Sequence, residues 1–349
     1  MVFWLAAFAV FAAAFWLLRE IMLPFVAGLV LAYLLDPLAN RLERAGLSRA
    51  VAALVIVGVF IVTAVFVAAL LVPVLASQLA GLAEKLPAYA TRVHAVITDP
   101  SRPWLVKIVG AGLGEGNIGD MVQQATGGLA SFLRSLWSGG QALLSIFSLV
   151  IVTPVVAFYL IWDWNRIVAA IDSWLPRPYA PVIRRLAAEM DKAIAGFVRG
   201  QTVICLILAA LYAAGYSVIG LNFGFVIGLA TGIATFVPYA GSLAGMVLAV
   251  SVAVAQFWPN WVPIVSVLGL SVVLQALEGY VLAPNLVGRV IGLHPVWLMF
   301  ALFAASYLLG FLGLLIAVPL AAAIAVLVRF GLAQYLSSPL YSGETLPPP

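Results

Sequence analysis

Between Arg199 and Glu278 lie 78 residues without a single Asp, Glu, Lys or Arg. No soluble domain can be built from such a run, because nothing in it would cover a surface facing water. It is several times the ~20 residues an apolar helix needs to cross a bilayer. Near its middle it is interrupted by Phe236-Val237-Pro238-Tyr239-Ala240-Gly241. Proline removes a backbone donor and clashes with the preceding turn, and glycine loosens the chain. Non-helical backbone at membrane depth is tolerated only against protein or a polar cavity. The break therefore points to a path for something through the protein.

The remaining composition agrees. The chain is 65% hydrophobic and 9% charged, against about 25% charged in ordinary soluble domains. Its formal net charge of +4 comes from basic residues scattered among loops. They report orientation and anionic lipid contact, and nucleic acid is not an expected partner. Cys205 is the one cysteine, so no intrachain disulfide can form. His94 and His294 have no second ligand at helical spacing, and no metal site, cofactor or catalytic residue is expected. Walker A, His-Glu-x-x-His and Gly-x-Ser-x-Gly sequences are absent. ATP-driven transport by this chain alone, proteolysis and enzymatic activity are accordingly not expected.

Apolar helical segments fall at about 2–18, 21–36, 50–75, 139–162, 200–220, 224–237, 240–257, 261–283, 295–309 and 313–329. The first is expected to be a retained helix rather than a cleaved signal, since it has no basic leader and runs straight into the second. The pairs 224–237/240–257 and 295–309/313–329 are joined by tight breaks, the second at Gly310-Phe311-Leu312-Gly313. Each pair is either a re-entrant hairpin or two short spans. Arg41, Arg44 and Arg49 in a loop over 36–49, and six basic residues in 163–199, place both stretches in the cytoplasm. Residues 76–138 then lie outside.

The fold class expected is all-α: a polytopic transmembrane protein with broken or re-entrant helical hairpins. Its parts are N-terminal transmembrane helices over 1–75, an extracytoplasmic helical subdomain over 76–138, and a span over 139–162. A cytoplasmic amphipathic region over 163–199, a C-terminal transmembrane core over 200–330 and a disordered tail over 331–349 follow. Within 178–199, Val182, Leu186, Met190 and Phe197 share one helical face, and Arg184, Arg185, Glu189 and Lys192 the other.

Two places carry candidate chemistry. Glu278 is the one acid between Asp191 and Glu344, and it sits in an apolar helix. An ionisable residue inside the membrane is expensive and a functional candidate by default. It is either a proton or cation (Na+ or H+) coupling site or gate, or a structural partner of Arg289. The second place is the broken segment. Thr231, Thr235, Tyr239 and Ser242 supply hydroxyls there, and Pro238 and Gly241 free backbone groups that can hold a small polar solute or an ion. The other reading of the break is a packing kink.

Several motifs occur in a recognisable order. They are Tyr33-Leu34-Leu35-Asp36-Pro37-Leu38, Gly196-Phe197-Val198-Arg199-Gly200-Gln201, Pro238-Tyr239-Ala240-Gly241 and Leu277-Glu278-Gly279-Tyr280-Val281-Leu282-Ala283-Pro284. Gly292-Leu293-His294-Pro295 and the run from Gly310 through Gly313 to Pro319 follow. The set resembles the autoinducer-2 exporter-like family of bacterial inner-membrane permeases, from Pro24 to Arg329. This chain has Pro-Tyr-Ala-Gly-Ser where that family often has Pro-Tyr-Val-Gly-Pro. The resemblance implies a multi-pass inner-membrane permease, a homo-oligomer, with a pentamer suspected. Members are linked to export of autoinducer-2, a small polar quorum-sensing signal, and others to sodium–proton antiport. Structural roles are implied for Pro37, Arg199, Gln201, Pro284, Gly292, Pro295, Gly310, Gly313 and Pro319. A non-transporting membrane scaffold is the rival reading from another class.

Overall fold

A computed structural model describes residues 21–97, 140–287 and 295–338, together with Leu18 and Tyr341. All of the segment 2–18 but Leu18, most of the polar loop beyond Ile97, Arg289, Gly292, His294 and most of the final residues lie outside the described residues. Nine α-helices are described: α1 (Leu23–Arg44), α2 (Arg49–Ile97), α3 (Gly140–Ser173), α4 (Ala180–Ile219), α5 (Gly224–Ala234), α6 (Ala240–Phe257), α7 (Trp261–Leu277), α8 (Pro295–Leu309) and α9 (Phe311–Leu336). A π-helix, Glu278–Val287, continues α7. No strand occurs among the described residues. Seven helical stretches are long and apolar enough to span a bilayer, the π-helix being counted with α7. The chain is a polytopic helical membrane protein.

Several element boundaries differ from those read off the sequence. Residues 36–49 are not a loop: α1 continues through Pro37 to Arg44. It ends in a Schellman cap, in which Leu47 N–H bonds Leu42 C=O at 3.2 Å and Gly46 N–H bonds Glu43 C=O at 3.0 Å. Gly46 has φ +102°, which the cap requires and a side chain would resist. The helix α2 does not stop near residue 75. It runs for 49 residues with Pro73 and Pro87 inside it, about 73 Å at 1.5 Å per residue. The fall in hydropathy beyond residue 75 is not the end of a helix: the stretch apolar enough to span a bilayer runs to Leu82 and the helix to Ile97. The amphipathic stretch that starts α4 runs without interruption into the charge-free span. The expected disordered tail is helical as far as Leu336: Gly331 is carried inside the helix, and the next break in the sequence is Ser337-Ser338-Pro339.

The helices form two compact units, 1–61 with 148–201 and 283–349, and 62–147 with 202–282. In the first unit, Ala32, Ala39, Ala53, Ile56, Val57 and Ile161 make a buried apolar cluster. Arg49 is anchored above it. Its guanidinium pairs with Asp36 at 2.6 Å and Glu43 at 3.0 Å, bonds the Asn40 side chain, and donates to Ile161 C=O at 2.9 Å. Helices α8 and α9 also lie in this unit and pack on each other as a hairpin. They turn at Gly310, φ +62°.

In the second unit, α5 packs on both α6 and α4. A Cβ at Gly228 would stand 2.3 Å from Ala213 N, and one at Gly232 would stand 2.1 Å from Ala209 N. The two backbones therefore touch along the glycine edge of α5. Lipid provides no hydrophobic drive between apolar helices, so this close contact is what joins them. Gly269 on α7 has open space around it. Gly232→Val should lower stability by about 2 kcal/mol or more through overpacking, and Gly269→Val should leave it nearly unchanged. Thermal unfolding in detergent micelles compares the two. Equal effects would contradict the packing described.

Candidate functional site

The α5–α6 junction breaks the helix near the middle of the charge-free run. With 11 residues, α5 is about 16 Å long, roughly half the ~30 Å hydrocarbon core. The chain tightens after it, with Phe236 N–H bonded to Ile233 C=O at 3.1 Å and Val237 N–H to Ala234 C=O at 3.0 Å. It then reverses in a three-residue turn: Ala240 N–H bonds Pro238 C=O at 2.7 Å across Tyr239. Tyr239 takes φ 64° and ψ −45°, close to the rare γ-turn with positive φ. Such a conformation costs of order 1–3 kcal/mol and persists only where the surroundings impose it. Gly241 is the residue that lets it close. A Cβ there would lie 1.9 Å from Ala234 C=O.

The hydroxyls singled out in the sequence lie around this junction, and the structure buries most of them. Thr231, Thr235 and Ser242 are at most 2% exposed. Thr231 donates to Ile227 C=O at 2.6 Å and Thr235 to Thr231 C=O at 2.9 Å. Tyr239 points outward, half exposed. Ser242 receives a hydrogen bond from Gln275 Nε2 on α7 at 3.1 Å. Nearby, Tyr212 and Tyr216 on α4 reach Ser271 of α7, the latter at 2.8 Å. Gln275, Ser271 and the two tyrosines were not legible as a group. Their only sequence signal is polar residues at four-residue spacing on two apolar helices, 212/216 and 271/275.

Glu278 is the first residue of the π-helix and is partly buried. No cation among the described residues pairs with it, and its proposed partner Arg289 lies outside them. Single-turn π distortions are often found at functional sites; this one extends over 10 residues and contains Pro284.

The first unit gathers a second polar group. Pro37 has no N–H to give to Tyr33 C=O one turn earlier, and Arg199 Nε donates to that carbonyl at 2.9 Å. Tyr33 Oη donates to Asp191 at 2.9 Å. With Asp36 and Trp164 these side chains line a cavity of about 70 Å³. Gly200, next to Arg199, faces Leu286 backbone at 2.5 Å from a built Cβ, and Gln201 is buried. Asp191 was not anticipated as a member. Gly313 packs on Ala305 C=O, Pro295 opens α8 and Pro319 lies inside α9.

Comparison with known proteins places the chain in context. A family model described as AI-2E family transporter matches residues 5–333. The candidate transport protein YrrI of Bacillus subtilis is 28% identical over 319 residues, covering 90% of this chain and 88% of YrrI. YueF of the same organism, also a candidate transport protein, is 26% identical over 86% of this chain and 80% of its own length. The candidate permease PerM of Escherichia coli K12 is 24% identical over 88% of this chain and 86% of PerM.

Replacing Tyr239 tests the turn. A β-branched residue resists positive φ, and glycine accepts it freely. Tyr239→Val should destabilise by about 1–2 kcal/mol relative to Tyr239→Gly. Unfolding midpoints in the same micelle would read the difference, and equal midpoints would refute the strained turn.

Proposed function

The chain belongs to the AI-2E family of transporters, and on that premise we propose that it exports a small polar solute such as autoinducer-2 across the bacterial inner membrane. The observation that supports this most is the helix break at Pro238–Gly241 inside a run of 78 residues without charge. A neutral, hydroxyl-rich solute needs hydrogen-bond partners and no counter-ion. Ser242, Gln275 and the carbonyls at the end of α5 are of that kind. Opening the junction would uncover them, and the strain at Tyr239 lowers the cost of leaving the closed state. The path proposed runs past Thr231, Thr235, Pro238, Tyr239, Gly241 and Ser242. The working assembly is proposed to be a homo-oligomer, with a pentamer implied by the resemblance. The mass of the solubilised complex, as a multiple of 36.9 kDa, decides that.

A second reading has its own observation. Glu278 is a partly buried carboxylate without a cation among the described residues, as a sodium or proton site would be. Exchange of Na+ for H+ through it, with Glu278 and Arg289 as coupling or gating residues, is the alternative.

One experiment separates these. The purified chain is reconstituted in vesicles, and efflux of loaded autoinducer-2 is followed with and without imposed pH and sodium gradients. Export is expected in wild type and in Glu278→Gln, and is expected to fall in Pro238→Ala, which alters the break without placing a Cβ against the Ala234 backbone, while the assembly remains intact. Gradient-dependent sodium flux that Glu278→Gln abolishes, without solute efflux, would establish antiport instead. Absence of both fluxes in folded protein would favour the scaffold reading.

A further inference from the structure

Away from the broken hairpin, the first unit holds a cavity of about 740 Å³ between the amphipathic start of α4 and the C-terminal part of α9. Arg185, Glu189 and Lys192 line it from α4, and Arg329 lines it from α9; Leu186 and Phe330 supply apolar wall. Arg185 is neutralised by Glu189 at 3.0 Å. Lys192 and Arg329 have no acidic partner among the described residues, and Arg329 Nε merely donates to its own helix at Ala325 C=O, 3.2 Å. Among the described residues the cavity thus carries two positive charges without an acidic partner.

Its position is equally specific. On α4 the charges cease at Arg199, and the next 78 residues are apolar or neutral. On α9, Arg329 follows an apolar run from Phe311 with no charge in it. The cations therefore stand at the border between lipid and water on both helices. Beside them, Leu327, Val328 and Leu332 of α9 are about half exposed. A ligand that suits the whole surface has an anionic head for Lys192 and Arg329 and an apolar tail for the flank of α9.

We propose that this cavity binds the phosphate of an anionic phospholipid. The phosphate oxygens accept from the Lys192 ammonium and the free Arg329 guanidinium nitrogens, and the acyl chains lie along Phe330 and the outer face of α9. A soluble phosphate would use the same cations without the apolar flank.

Delipidated full-length protein in nonionic detergent provides the test, with native mass spectrometry and melting temperature as readouts. The probes are phosphatidylglycerol, phosphatidylcholine of the same chains, and inorganic phosphate. Phosphatidylglycerol should bind more tightly than phosphatidylcholine and raise the melting temperature. Lys192→Gln/Arg329→Gln should lower phosphatidylglycerol affinity by about fivefold for each charge removed and leave phosphatidylcholine binding as it was. Arg166→Gln, an exposed charge elsewhere in this unit, should behave as wild type. Because neither Lys192 nor Arg329 carries an ion pair among the described residues, the double variant should melt with wild type when no lipid is added. Equal affinity for the two lipids, or an unaltered affinity in the double variant, would overturn the proposal. Displacement of phosphatidylglycerol by an equal concentration of inorganic phosphate would overturn it in favour of a soluble anion. A changed assembly mass with lipid binding intact would assign the surface to a second copy of the chain.

Discussion

Lipid offers no hydrogen bonds, so every backbone group that Pro238 frees has to be satisfied by the protein itself. The chain meets this demand locally. The N–H groups of Phe236 and Val237 turn back to carbonyls three residues earlier, and Ala240 N–H closes on Pro238 across Tyr239. Such tight closure works only if the two helices approach to backbone contact, which Gly241 permits at Ala234. The same requirement propagates to α4, where the glycine edge of α5 touches backbone at Ala209 and Ala213. A core held by backbone contact tolerates little change in volume. It can, however, exist in discrete arrangements, because packed interfaces switch between states more readily than they deform.

Charge and its absence divide the labour between the two units. The first uses ionic and charge-assisted bonds near its polar ends: Arg49 with Asp36 and Glu43, Arg199 with Tyr33 C=O, and Arg184 with Asp172 at 2.6 Å. Within its charge-free run the second uses hydroxyls and amides, and Arg92 on α2 adds a charged donor to Ala255 C=O at 3.3 Å. Gln256 accepts from Asn222 N–H at 2.7 Å and donates to Gly220 C=O at 2.8 Å, capping the α4–α5 turn. Neutral partners of this kind desolvate cheaply, whereas an ion pair at the same depth would need full compensation.

Much of this arrangement was legible in the chain and some of it could not be. The break at Pro238 and the amphipathic start of α4 were visible because proline and a 3.6-residue apolar period act locally. The continuation of α1 through Pro37 was not, since the compensating donor is Arg199, 166 residues away. Asp191 escaped notice for the same reason: its partner Tyr33 is 158 residues distant. Hydropathy placed the end of α2 where the sequence turns more polar, which is not where the helix stops. The π-helix at Glu278 has no residue signature of its own, because a shift from i−4 to i−5 bonding depends on packing around it. Gln275 reads as an interfacial amide by composition, and becomes a partner of Ser242 only once α6 and α7 are packed.

The central claim is that the junction between α5 and α6 opens during transport. Alkylation of Ser242→Cys in a Cys205→Ala background measures this directly, with Val252→Cys, buried in the same helix, as the reference. Vesicles are treated with a small water-soluble thiol reagent at rest and under a solute gradient. On this account Ser242→Cys is protected at rest, reacts markedly faster during turnover, and Val252→Cys stays inert in both states. If Ser242→Cys remains as unreactive as Val252→Cys while solute is moving, the junction is a packing kink and the solute crosses elsewhere.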